Sequence, residues 1–145
     1  MISKTEQSWI DTVFLALVVW REARGESNEC KSAVAFSILN RVKRPSWWGK
    51  TVQEVLFKKW QYTSMTAPHD PQLTKWPIDS DKSWEQCFRA AVDAISDNVL
   101  NPVVGADSYW DDSISRPKWA NDQNFVKKIN RINFHNVDGD YEKVS

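Results

Sequence analysis

The chain has 145 residues, 41% of them hydrophobic and 26% charged, which is the composition of a folded globular protein and not of a disordered one. Nineteen basic residues balance nineteen acidic ones, and this balance excludes a strong electrostatic attraction to nucleic acid or anionic lipid. The length fits a single domain, which we expect to span residues 1–145.

The first helix is predicted to follow Ser3 and to run to about Arg24. Ser3 and Glu6 show the capping-box pattern at its start, and Gly25 is expected to end it. Apolar residues recur at helical spacing and predict one buried face: Ile10, Val13, Phe14, Leu17 and Val18.

Glu22 lies one turn beyond Val18 and about 40° round the helix from it, at the edge of the predicted buried face. Partial burial disfavours the charged form of a carboxyl group and raises its pKa. A carboxyl group with a raised pKa can act as a general acid near neutral pH. The alternative interpretation is that Glu22 is an ordinary solvated glutamate on the helix surface.

Three further helices are predicted along the chain. The second should start after Ser27 as its N-cap, end before Pro45, and form the core pair with the first helix. Thr51 and Glu54 form another capping-box pattern, which opens a short helix through Phe57. Apolar residues at helical spacing mark a third long helix: Trp84, Phe88, Ala91, Val92 and Ile95.

The segment of residues 59–65 has a less regular pattern. If it is extended, Gln61 and Thr63 share one face and line a cleft together, whereas Tyr62 points to the other face. The alternative is a loop whose polar residues are incidental. Residues 66–81 read as one long loop, and loops of this length in compact domains often carry function.

Several segments together resemble one known family. They are Glu22-Ala23-Arg24-Gly25-Glu26, Ala33-Val34-Ala35, Leu39-Asn40-Arg41-Val42, Gln61-Tyr62-Thr63 and Ile132-Asn133-Phe134-His135. In these segments the chain resembles the SleB-like cell wall hydrolases, which include spore cortex-lytic enzymes and phage lysins. It also keeps the family's Gly105, Ala106, Tyr109, Pro117, Trp119 and Ala120. It departs from the family at Asp107, Ser108 and Trp110, where the family has Thr, His and His.

The resemblance implies a mainly α fold with a small β element, of the lysozyme-like or lytic-transglycosylase-like type. It also implies cleavage of the glycan strands of bacterial peptidoglycan, with Glu22 as the catalytic general acid and no cofactor. The residues expected to bind the substrate are Gln61, Tyr62, Thr63, Tyr109, Trp110 and His135.

The number of carboxylates available in the active site determines whether the product is a hydrolysed or an anhydro sugar. A hydrolase needs a second carboxylate to activate water or to attack the sugar, and only Glu22 is placed by a motif. A single acid can instead help the muramic acid's own 6-hydroxyl to attack, which gives an anhydro sugar, so we predict a lytic transglycosylase. If the enzyme is a muramidase, the second carboxylate must be Glu26, Asp70, Asp79 or Asp107. We expect Glu26 to pair with Arg21 or Arg24 instead.

Two other functions stay open. Cys30 lies in the first turn of the second helix, where the helix dipole lowers a thiol pKa, so it could be the nucleophile of a peptidoglycan peptidase. His135 or His69 would then be its base, although we read Cys30 and Cys87 as buried thiols. Alternatively, the nine tryptophans could make the chain a non-catalytic glycan-binding module. With two histidines and no His-Glu-x-x-His spacing, the sequence predicts no metal site.

The sequence shows no pattern of a signal peptide or a transmembrane segment. Residues 12–20 are apolar, but they are amphipathic, too few to cross a bilayer, and continue directly into the motif around Glu22. We therefore expect a monomer without membrane insertion that acts at the bacterial cell wall, delivered by a phage holin or a virion.

Overall fold

The computed structural model describes residues 3–44, 48–59 and 61–137. Within these residues, five α-helices precede a small three-stranded sheet. The helices are α1 (Lys4–Ala23), α2 (Asn28–Lys43), α3 (Val52–Phe57), α4 (Thr63–Thr66) and α5 (Lys82–Ser96), with a 3₁₀ turn at Pro71–Thr74. The strands are β1 (Ser108–Asp111), β2 (Phe125–Ile129) and β3 (Ile132–His135).

The predicted helix starts are confirmed. Ser3 Oγ accepts from the Glu6 amide at 3.1 Å and Glu6 Oε2 accepts from the Ser3 amide at 3.3 Å, which completes the capping box of α1. Ser27 Oγ accepts from the first turn of α2 in the same way. At α3 only half of the predicted box forms, because the Glu54 carboxylate accepts from the Lys50 amide instead of the Thr51 amide.

Helix α1 is buried on all sides from Leu15 to Arg21, and the predicted single buried face is therefore wrong. Val13, which belonged to that face, is 45% exposed, whereas Leu15 and Val19 outside it are fully buried. The reason is tertiary, because α1 packs most extensively against α5 and also contacts α2, α3 and α4. The expected pairing of α1 with α2 is present but is not its largest contact.

Helix α1 ends at Ala23, and Arg24 is its C-cap in a right-handed conformation. Gly25 does not adopt the left-handed conformation that would make a glycine necessary, and a Cβ there would have no neighbour within 4 Å. The chain instead turns out of α1 and enters α2 at Ser27, which leaves Glu22 in the last turn of the central helix.

Residues 61–65 do not form an extended strand. Thr63–Thr66 form α4, a single helical turn, so the extended arrangement that would point Tyr62 away from Gln61 and Thr63 does not occur. Tyr62 is the N-cap of this turn, and all three side chains point toward one cleft. The long loop that follows contains the 3₁₀ turn, whose N-cap is Asp70.

The sheet is antiparallel with the strand order β1-β3-β2, so β3 lies at its centre. Ser108 of β1 faces His135 of β3, and Asp111 faces Ile132. A tight turn joins β2 to β3 through Asn130, whose φ of 54° is left-handed. Within the described residues, no helix has both the length and the apolar character needed to cross a membrane.

Candidate active site

A cleft of about 540 Å³ opens between the end of α1, the segment before α4 and strand β1. Its lining residues are Glu22, Arg41, Trp48, Gln61, Tyr62, Thr63, Ser108, Tyr109, Asp111, Ile114, Trp119, Ile132 and Val137. Five of the seven site residues expected from the sequence meet there: Glu22, Gln61, Tyr62, Thr63 and Tyr109. Trp110 and His135 do not line the cleft.

Glu22 is the carboxylate that the end of α1 brings into the cleft. Burial, followed by the negative charge of Asp70, raises its pKa to about 7. Two hydroxyl groups oppose this shift by favouring the ionised form, Tyr109 and Ser64. Ser64 Oγ donates to Glu22 Oε1 at 3.4 Å, and the Tyr109 hydroxyl acts on the same carboxylate. Glu22 is therefore partly protonated at neutral pH, as the sequence predicts.

Asp70 is held in a fixed position by two donors. Thr63 Oγ1 donates to its Oδ2 at 2.6 Å, and the Gln72 amide donates to its Oδ1 at 2.8 Å. Because Thr63 itself lines the cleft, this pair places a fixed negative charge next to the site. The charge makes ionisation of Glu22 harder, since two like charges repel in a poorly solvated environment.

Two donors in the cleft wall have no acceptor among the described residues. They are the hydroxyl group of Tyr62 and the amide nitrogen of Gln61, whereas the hydroxyl group of Tyr109 acts on Glu22. Burial raises the pKa of Tyr62 to about 12, and burial together with Glu22 raises that of Tyr109 well above its ordinary value. Both tyrosines therefore keep their protons. A buried donor without a partner is costly, so these groups favour a ligand rich in acceptor oxygens.

Comparison with known proteins decides the family. The sequence profile of the cell wall hydrolases matches residues 25–135. The chain belongs to the cell wall hydrolase family. The match starts at Gly25, after Glu22, so the case for Glu22 rests on the geometry of the cleft. No curated protein among those compared is similar to the chain.

Two solved structures resemble the chain over most of its length. One is the catalytic domain of the Bacillus cereus SleB protein, which is 30% identical over 86% of this chain and 88% of that chain, with a TM-score of 0.68. The other is the catalytic domain of the germination-specific lytic transglycosylase SleB from Bacillus anthracis, also 30% identical, covering 86% and 93%, with a TM-score of 0.67. The expected mainly α, lysozyme-like fold with a small β element is confirmed.

In this cell wall hydrolase, His135 and Trp110 hold the sheet together behind the cleft. His135 is 1% exposed, and its Nδ1 lies 2.7 Å from Asn124 Oδ1. Trp110 Nε1 donates to His135 Nε2 at 3.0 Å. Burial and then the charge of Arg116 lower the pKa of His135, so the neutral ring accepts from Trp110 and donates to Asn124. These contacts join β1 and β3 to the loop before β2.

Cys30 does not have the environment of a nucleophile. Its side chain is fully buried, and burial followed by the charge of Glu26 raises its pKa to about 12. This is the opposite of the lowered pKa expected from the helix dipole, because the side chain packs inward toward the carbonyl oxygen of Ile129. Neither His135, whose ring is engaged elsewhere, nor the exposed His69 contacts it. The structure does not support the hypothesis that Cys30 is the nucleophile of a peptidase.

The other acidic residues weighed from the sequence lie outside the cleft lining. Glu26 pairs with Arg131 at 3.2 Å, so its expected pairing with Arg21 or Arg24 is wrong. The chain turns after α1 and directs Glu26 toward the β2–β3 turn. Asp107 is buried, and its Oδ1 accepts from Ser108 and from the Val137 amide. Across residues 3–44, 48–59 and 61–137, no three His, Cys, Asp or Glu side chains are grouped to hold a metal ion.

Sequence reasoning did not assign Arg41, Asp111 or Trp119 to the site, although all three line the cleft. Arg41 and Trp119 lay within segments that resemble the family. The sequence did point to Arg41, because a charged residue on a helix face that is otherwise apolar and buried is unusual. Asp111 carried no such signal, since its place in the cleft depends on the register of β1 against β3.

Proposed function

We propose that the chain cleaves the glycan strands of bacterial peptidoglycan between N-acetylmuramic acid and N-acetylglucosamine, with Glu22 as the general acid. The observation that carries the proposal is a carboxyl group with a pKa of about 7 in the wall of the cleft. Such a group is protonated often enough at neutral pH to protonate the glycosidic oxygen, and ionised often enough to act afterwards as a base.

The roles of the neighbouring side chains follow from their free hydrogen-bonding groups. Gln61 and Tyr62 carry donors that lack an acceptor, and the hydroxyl and acetamido oxygens of a sugar supply acceptors. Tyr109, whose hydroxyl acts on Glu22, lines the cleft beside them and orients the sugar next to the acid. Thr63 contributes by fixing Asp70, which acts on Glu22. In this proposal, Trp110 and His135 act by holding β1 in place and do not contact the sugar.

We propose a lytic transglycosylase, the activity named for the similar Bacillus anthracis domain. Asp70 is occupied by Thr63 and Gln72, and it affects Glu22 as a charge. Asp111 lines the cleft but accepts from the Ser113 amide and lies 3.6 Å from Arg131. With both carboxylates engaged, one acid can protonate the leaving oxygen and then take the proton of the muramic acid 6-hydroxyl.

The products of purified sacculi test this reaction. We expect fragments that end in 1,6-anhydro-muramic acid and show no new reducing termini by mass spectrometry. Digestion in ¹⁸O-labelled water should leave those termini unlabelled, because no water enters the product. Reducing muramic ends that carry ¹⁸O would make the enzyme a muramidase, and Asp111 or Asp70 would then become the second catalytic carboxylate.

The dependence of activity on pH should follow the protonated form of Glu22. Because burial and Asp70 raise its pKa to about 7, kcat/KM should fall as the pH rises above this value. Asp70→Asn removes a charge that raises this pKa, so the alkaline limb of the profile should move to lower pH. The measurement is kcat/KM on solubilised glycan strands across the pH range.

Asp79→Asn is the matched control for this profile, because Asp79 lies exposed on the same loop and is not a cause of the Glu22 shift. Its profile should overlay that of the parent enzyme. An alkaline limb that stays in place or moves to higher pH in Asp70→Asn would contradict the role given to the Asp70 charge.

Three expectations concern partners and location. A monomer, the absence of a nucleic-acid partner, and delivery by a phage holin or a virion remain predictions. The glycan substrate is part of the present proposal, and the product analysis above tests it directly.

A further inference from the structure

Trp76 is an exposed aromatic residue with one face covered. It lies in the loop between the 3₁₀ turn and α5, and 66% of it is exposed. The guanidinium carbon of Arg21 lies 4.6 Å from the centroid of its ring. Because one face of the ring rests on Arg21 and two thirds of the residue is exposed, its other face is open to solvent.

The cation beneath this ring is itself fixed. Arg21 is only 6% exposed, since it belongs to the buried part of α1. Its Nε donates to the Lys75 carbonyl at 3.2 Å, and its Nη1 donates to the Ser64 carbonyl at 2.9 Å and to Met65 Sδ at 3.4 Å. A cation–π contact to an anchored guanidinium orients Trp76, unlike a surface tryptophan that samples many rotamers.

Ser64 connects this aromatic surface to the cleft. Its carbonyl oxygen accepts from Arg21, and its hydroxyl donates to Glu22 at 3.4 Å. Through these contacts, the ring of Trp76 lies at most about 17 Å from the Glu22 carboxylate. Thr63, the neighbour of Ser64, lines the cleft. A polymer that extends out of the cleft past Thr63 would meet the ring within a short oligosaccharide length.

We propose that Trp76 is a stacking platform for a sugar ring of the glycan strand, outside the cleft that holds the scissile bond. The proposal rests on the proposed function, because it takes the occupant to be the continuation of the same strand. The flat apolar face of an indole matches the C–H face of a pyranose ring. Ile78, two residues further along the chain, is a second exposed apolar side chain in this loop, at 67% exposure. The site therefore favours long strands over short fragments.

The test measures binding in a Glu22→Gln background, so that cleavage does not interfere. The probes are a short and a long oligomer of N-acetylglucosamine, and affinity is measured by isothermal titration calorimetry. Trp76→Ala should weaken binding of the long oligomer about three- to tenfold, the range for one aromatic stacking contact, and leave the short one unchanged. Trp76→Phe should keep most of the affinity because it keeps a stacking face.

Trp9→Ala is the matched control. Trp9 is 61% exposed and packs near Phe88, but it lies about 20 Å before Glu22 along α1. Replacing Trp9 should leave the affinities for the short and for the long oligomer unchanged.

Equal affinity of the Trp76→Ala and parent proteins for the long oligomer would overturn the proposal. An equal loss for both lengths would also overturn it, because it would locate the damage in the cleft. Trp76-dependent binding to phosphatidylcholine vesicles without any difference on the glycan would identify a membrane contact instead. Cleavage of sacculi by Glu22→Gln would contradict the proposed function alone, since the platform is judged from binding.

Discussion

Glu22→Gln is expected to abolish the release of fragments from purified sacculi. Glutamine keeps the shape of the side chain and can still accept from Ser64, but it has no acidic proton to transfer to the glycosidic oxygen. The loss of a positioned general acid typically costs about 10²- to 10⁴-fold in rate. The measurement is the initial rate of turbidity clearing at equal concentrations of folded protein.

The same substitution should increase stability above neutral pH. The pKa of Glu22 is raised from 4.5 to about 7 in the folded protein, so between these values the native state holds a proton that the unfolded chain has released. The free energy of unfolding therefore decreases as the pH rises through this window. At about 1.4 kcal/mol per pKa unit, the wild-type protein loses up to about 3 kcal/mol by about pH 8, and the neutral glutamine loses none of it.

Urea unfolding at about pH 5 and about pH 8 measures this difference and shows that the variant is folded. Glu26→Gln is the matched control, because Glu26 lies four residues further along the chain, beyond the end of α1, and pairs with Arg131 outside the cleft. Its clearing rate should match the parent rate. A folded Glu22→Gln protein that clears sacculi at the parent rate would remove Glu22 from the mechanism.

The parts of the fold that were predicted correctly depend on local chemistry. Ser3 and Ser27 are N-caps because their hydroxyl groups accept from amides within the next turn, which is a property of a few neighbouring residues. Helix α5 was predicted from apolar residues at helical spacing, and it forms because one side of it packs on the core. Its buried residues are the smaller ones, Cys87, Ala90, Ala91 and Ala94, whereas the larger apolar residues used for the prediction are half-buried. The family resemblance supplied the remaining architecture.

The errors come from contacts between distant segments. Val13 was assigned to a buried face because it repeats with its apolar neighbours, but the start of α1 extends beyond the packed core. Conversely, α1 is enclosed further on by helices that lie far away in the sequence. For Gln61 and Thr63, a short polar segment gave no periodicity that could separate a strand from the single turn of α4.

The sequence predicted the central residue of the candidate site, Glu22, but not the contacts of the residues around it. The raised pKa of Glu22 followed from its place at the edge of a buried helix, which the sequence shows. The contribution of Asp70 to this pKa could not be predicted from the sequence. It depends on how the loop folds back over α1 and on Thr63, which holds the Asp70 carboxylate. His135 matches the family, yet its burial against Asn124 becomes visible only in the sheet.

Arg41→Met is expected to cause a large loss of stability. Arg41 is 7% exposed, and its guanidinium lies 3.9 Å from the Trp48 ring centroid and 5.0 Å from that of Tyr62. Its Nε donates to the Asp107 carbonyl, and its Nη1 donates to Gln61 Oε1 at 2.9 Å. One side chain of α2 thus connects the segment before α4 to the segment that leads into β1.

Methionine fills much of the volume of Arg41 but provides no donor. Two buried acceptors, on Asp107 and Gln61, would lose a charged partner, and each such hydrogen bond is worth about 1.5–3 kcal/mol. We therefore expect the free energy of unfolding to decrease by about 3 kcal/mol or more. Arg41→Lys should recover less than half of it, because a single ammonium group cannot reproduce the planar fork. Urea unfolding with unchanged m-values is the measurement.

The matched control is Arg116→Met, which removes an arginine whose side chain is 46% exposed and which bonds to Asp122 and the Ala120 carbonyl. Exposed ion pairs contribute about 0–1 kcal/mol, so the free energy of unfolding of this variant should remain close to that of the parent protein.

A measurement of activity distinguishes a role of Arg41 in stabilising the fold from a role in positioning Gln61. At a temperature where Arg41→Met is fully folded, its clearing rate should still be reduced, because Gln61 has lost the contact that directs its amide nitrogen into the cleft wall. A fully active Arg41→Met protein under those conditions would restrict Arg41 to stabilising the fold.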